Sequence, residues 1–138
     1  MAKIYKYQKV IDKFTTHLIA EPDYNLLETE DRITELCTIG ADTYVSVPDS
    51  ITLPPQPKQI TAEEVKLTDE LRAEICASSP HTVLISNRVV LRIREKYSID
   101  DELKMLRMRE SKEFSLYNEY VEECRAWGNA AKSRLGLS

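Results

Sequence analysis

The stretch RITELCTIGADTYVSVPDSITLPPQP, residues 32–57, divides the chain into two kinds of pattern. Residues 32–39 and 43–47 are rich in β-branched and aromatic side chains and alternate, in part, with period two. Gly40-Ala41-Asp42 between them reads as a three-residue hairpin loop, because glycine takes positive φ without a Cβ clash. Pro48 then opens a composition break over residues 48–60, centred on Leu53-Pro54-Pro55-Gln56-Pro57 and holding four of the six prolines. Proline fixes φ, removes a donor and pushes its predecessor to extended geometry, so an extended connector is expected here.

Toward the N-terminus, residues 3–10 also alternate, with Ile4, Lys6, Gln8 and Val10 on one side and Lys3, Tyr5, Tyr7 and Lys9 on the other. They read as a further strand. Residues 11–31 fit neither period, and Glu21-Pro22-Asp23 marks a turn.

Beyond the connector the period becomes helical. Thr61-Ala62-Glu63-Glu64 has the form of a capping box, though the periodic run behind it is short. Residues 67–77 carry Leu71 and Ile75 four apart. Ser79-Pro80 supplies an N-cap and a first-turn proline for a helix over residues 81–97, with Ile85, Val89, Ile93 and Tyr97 along one face. Ser98 followed by Asp100, Asp101 and Glu102 starts another helix, with Ile99, Leu103 and Leu106 at helical spacing to about Glu110. Ser111 caps a last one. Its stripe of Phe114, Tyr117, Val121, Cys124, Trp127, Ala131 and Leu135 is the longest in the chain, with Gly128 inside it and Gly136 as a natural stop. The fold class is therefore α+β: a small N-terminal β region with a hairpin, a Pro-rich connector and C-terminal antiparallel helices. The division is residues 1–60, β-rich with the connector, and residues 61–138, helical.

Composition excludes several function classes. At 138 residues, 42% hydrophobic and 30% charged, the chain matches a globular domain and not a disordered one. The net charge of −4 argues against a dedicated nucleic-acid coat. No apolar run approaches a membrane span, and MAKIYKYQKV lacks the apolar core of a signal peptide. Cys37, Cys76 and Cys124 are odd in number and widely spaced, which points to buried thiols in a reducing compartment. His17 and His81 stand in no zinc-ligand spacing.

Three glycines rule out a Gly-rich phosphate cradle, and no nucleophile-elbow or zincin motif is present. Ser79 and His81 with an acid would form a nucleophile set only if folding assembled one, and Ser79 already serves a helix start. Neither a catalytic residue nor a metal or other cofactor is expected. Arg88, Arg92 and Lys96 share one helix face, with Arg94 offset; an ion-paired or solvated face is the simpler reading of this stripe, since Asp100 to Glu102 follow closely.

Several stretches carry a family resemblance. They are Leu67-Thr68-Asp69-Glu70-Leu71-Arg72, Ser78-Ser79-Pro80-His81, Ile93 to Glu102, Leu106-Arg107, and Tyr117 to Gly128. Lys96-Tyr97-Ser98 followed by Asp101-Glu102, then Tyr117-x-x-Tyr120-Val121-x-x-Cys124, resembles the helical part of XkdW-like tail-region proteins of tailed phages and prophages. Thr43 to Asp49, followed by Leu53 to Pro57, resembles their front half. The resemblance spans residues 32–137 and rests on structural residues. It implies a non-enzymatic tail protein acting through protein–protein contacts in tail or tail-fibre assembly, as a structural component or chaperone. The implied partner is a tail or tail-fibre chain, with self-association left open and no membrane. The implied location is the host cytoplasm during assembly, and the virion if the protein stays there.

The aromatics Phe114, Tyr117, Tyr120 and Trp127 either fill the domain's own core or form the contact surface; Tyr120 and Trp127 are the best placed to be shared. The rival reading is a helical nucleic-acid-binding or regulatory module using Arg88, Arg92 and Lys96. A third is a hydrolase built on His81 or His17.

Overall fold

A computed structural model describes residues 2–20 and 32–137. The turn expected at Glu21-Pro22-Asp23 lies outside them. Four strands, β1 (Ala2–Tyr7), β2 (Thr34–Ile39), β3 (Asp42–Pro48) and β4 (Glu63–Val65), are followed by four helices. These are α1 (Asp69–Ser78), α2 (Pro80–Lys96), α3 (Ile99–Leu106) and α4 (Lys112–Arg134). The fold is α+β, and the strands form one antiparallel sheet in the order β2-β3-β1-β4.

The hairpin forms where expected, but its loop is one residue shorter. Asp42 already pairs with Ile39, leaving Gly40-Ala41 as a two-residue turn with Gly40 at φ 62°. Glycine at the first turn position with positive φ matches the twist of the flanking strands. A register shift between Glu35 and Cys37 bulges β2 and lets two consecutive side chains, Leu36 and Cys37, both be buried.

The sheet is covered on both faces. On one, Ile4, Leu36, Cys37 and Tyr44 pack with Ile75 of α1 and with Leu137. On the other, Tyr7, Val45 and Val47 pack with Ile60, with Leu53 of the connector and Ile11 and Ile19 at their edge. The connector is therefore a lid over the second face, extended as its prolines require and held by its apolar side chains. At the C-terminus Gly136 turns with φ 78°, where an added Cβ would lie 2.8 Å from the Ala2 carbonyl oxygen. That turn delivers Leu137 into the core beside Ile4.

Thr61 to Glu64 do not start a helix. Glu63–Val65 instead pairs with β1, setting Glu63 opposite Lys6. The free edge of β1 offers a ladder, and opposite charges across it favour the pairing. The cap belongs to Thr68, whose Oγ1 accepts from the Leu71 amide at 3.1 Å. Ser79 sits at the start of α2 but its hydroxyl makes no cap bond. Thr82 donates to the Ser79 carbonyl at 2.9 Å and to the Cys76 carbonyl, fastening the α1–α2 corner instead. Ser98 and Asp101 close a reciprocal capping box on α3, at 3.1 and 3.0 Å. Ser111 caps α4 through the Phe114 amide at 3.1 Å. α3 stops at Leu106, short of Glu110.

Candidate interaction surface

α2 and α4 run antiparallel, and their seam is built on Ile93, Val121 and Cys124, with Val89, Tyr117 and Tyr120 against them. Gly128 permits the close crossing: a Cβ there would lie 2.6 Å from Val89 Cγ2. The helix continues through Gly128 to Arg134, so the glycine serves packing and not termination. Beside this crossing a cleft of about 220 Å³ is lined by Ile85, Ser86, Val89, Arg125, Asn129 and Lys132.

The aromatic stripe of α4 meets the basic stripe of α2 along this seam. The Arg92 guanidinium lies 4.2 Å from the Trp127 ring centroid. Lys96 Nζ lies 4.7 Å from the Tyr120 ring and 5.8 Å from that of Tyr97. Such contacts attract through the ring quadrupole. The Tyr120 hydroxyl donates to the Arg92 carbonyl at 2.6 Å, which pins the ring to the end of α2. Tyr97 is the hub. It meets Tyr117 edge-on at 4.9 Å and Tyr120 at 5.9 Å, and Phe114 stands 6.0 Å from Tyr117. All four aromatics singled out in the sequence are half-buried: each has one side in the protein and one in solvent.

Arg94, offset from the stripe, pairs with Glu102 at 2.9 Å and ties α3 to α2. The hydrogen bond from Arg94, reinforced by one from Tyr117, holds the Glu102 carboxyl below the usual carboxylate range against the opposing effect of burial. Burial first, then the bond to Glu102, pushes the Tyr117 phenol up. The charges nearest the patch thus stay ionised and the phenol neutral at neutral pH. Tyr97 is the member that sequence reasoning did not assign to the patch. It ends the Ile85, Val89, Ile93 face, so the spacing that made it look like core was the available signal.

His17, His81 and Cys37 lie away from this patch. His17 Nε2 is 2.9 Å from Gln56 Oε1, holding the N-terminal segment to the connector. The His81 ring is buried at the start of α2. Cys37 is buried in the sheet core, and desolvation, with Cys76 and Glu35 near, pushes its thiol up to about 11. Such a thiol is a poor nucleophile near neutrality. Among the described residues no group of three or more His, Cys, Asp or Glu is placed to hold a metal. Among them, too, no helix is long and apolar enough to cross a membrane.

No protein-family model, curated protein or solved structure matches the chain.

Proposed function

We propose that this chain is a non-enzymatic tail-region protein of a tailed phage or prophage, binding a tail or tail-fibre chain during assembly through the α2–α4 aromatic patch. The observation that carries the reading is the pre-organised state of Trp127 and Tyr120. Each residue is partly exposed, and each ring is held by a cation from the opposite helix. Aromatic anchors already fixed in one rotamer lose little conformational freedom on binding, so more of their burial appears as affinity. A partner segment offering an apolar side chain to Trp127 and a carboxylate to Arg92 or Lys96 would fit this patch.

The same cations support the nucleic-acid reading less well. Arg92 and Lys96 are spread over ring faces, and the chain is acidic overall. The test is titration of the full chain with the tail-fibre protein of the same genome. It is read by calorimetry, which follows the tryptophan-free W127A variant as well as the parent chain. Saturable binding that W127A and Y120A weaken by about tenfold or more supports the reading. Absence of binding to every tail component, together with DNA affinity that falls steeply with salt, replaces it with the nucleic-acid module. A neighbouring tail-fibre gene would be the cheapest support.

A further inference from the structure

α3 carries an apolar face that the other described residues leave largely exposed. Ile99, Leu103 and Leu106 are 62%, 55% and 48% exposed, and none of the helix's eight residues is buried. Their spacing of four and three confines them to one stripe of the helix. α3 is anchored by a different side. Glu102 is held by Arg94, and Glu102 and Met105 are the half-buried positions. The apolar stripe therefore faces sideways, parallel to the protein surface.

The charges bordering the stripe identify what fits it. Asp100 lies at the start of the helix and Arg107 just past its end, on the same flank of the stripe, and both are exposed. A second α3 packed antiparallel brings Asp100 of each copy to Arg107 of the other, twice over, about a two-fold axis. The same operation stacks Leu103 on its counterpart and Ile99 on Leu106. Parallel two-fold packing would instead put the two Asp100–Arg107 flanks on opposite sides of the contact, so that neither pair forms. The surface is thus self-complementary in one orientation, as an isologous contact requires.

We propose that α3 is a self-association surface through which two copies of this chain pair antiparallel. The proposal stands on α3 alone, independently of the tail-fibre reading. Size sets its strength. Eight helical residues span about 12 Å, so the contact falls below the ~1,200 Å² of a stable complex. A dissociation constant on the order of 100 μM is expected, a strength suited to copies held close together in an assembly.

Sedimentation equilibrium of the full chain up to about 1 mM tests this. The expected result is a reversible shift of mass from monomer to dimer, lost in L103E. D100R and R107D should each weaken pairing by about tenfold. Mixed one to one, they should form a heterodimer, because the mixture re-creates both Asp–Arg pairs while each variant alone opposes like charges. The altered side chains are all exposed, and recovery in the mixture shows at once that both variants are folded. Monomer throughout, a dimer indifferent to L103E, or a mixture no better than either variant alone would overturn the proposal.

Discussion

The sheet and the helical layer spend their apolar residues differently. β3 is buried over six consecutive positions, Thr43 to Pro48, because both faces of the sheet are covered. The helices bury few residues each, and α3 none. They leave Val83, Val90, Leu91, Leu103 and Leu116 about half-exposed or more. The difference separates two roles. The sheet, its connector lid and α1 hold the fold, while the outer helices retain apolar surface that packing among the described residues does not use.

The largest expected effect breaks the first role. Ile75 is fully buried where α1 meets the sheet. Ile75→Ala should cost about 2–5 kcal/mol in denaturant unfolding, through lost transfer energy and a residual cavity. Gly128→Ala comes next. Its new methyl would have to displace a stiff β-branched neighbour, Val89, costing about 1–3 kcal/mol. Gly128→Ala combined with Val89→Ala should recover part of that loss, because the two changes share one contact. Ser98→Ala should cost about 1 kcal/mol by opening the capping box, with the loss of helicity confined to α3.

The acid response is smaller. Glu102 and Asp101 titrate below their ordinary ranges when folded, Glu102 mainly through Arg94 and Asp101 through the Ser98 cap. Their contribution is present above the unfolded carboxylate range of about 4. It fades as pH falls through the lower folded values. Glu102→Gln should flatten the part of the stability profile due to the Arg94 pair, as read by unfolding at a series of pH values. Leu103→Ser should change monomer stability least, by under about 0.5 kcal/mol, which sharpens the contrast with Ile75.

Much of this arrangement was legible in the sequence, for identifiable reasons. Ser98 and Ser111 act as caps because short local bonds decide a helix start. The hairpin and the proline break are equally local. What escaped was decided at a distance. β4 is three residues, two of them glutamate, and exists because β1 presents a free edge. β1 itself was expected from its alternation, but that Ile4 and Tyr7 serve opposite faces of the sheet is set by the layers packed on each side. Ser79 stands at the expected helix start, but its buried hydroxyl accepts from no amide there.

At the candidate site, the α4 aromatics were visible from helical spacing, since one helix carries them all. Their pairing with Arg92 and Lys96 was not, because it crosses from one helix to another. The pairing of Arg94 with the acidic start of α3 was readable, because the two lie close in the chain.

The division of roles is tested most directly by hydrogen exchange of the dilute protein, followed residue by residue. The expected result is slowest exchange in β1 and β3, at the rate set by global unfolding, and much faster exchange in α3 through local opening. Protection of α3 equal to that of β3 in the isolated monomer would contradict the division, because it would make the outer helix part of the same cooperative core.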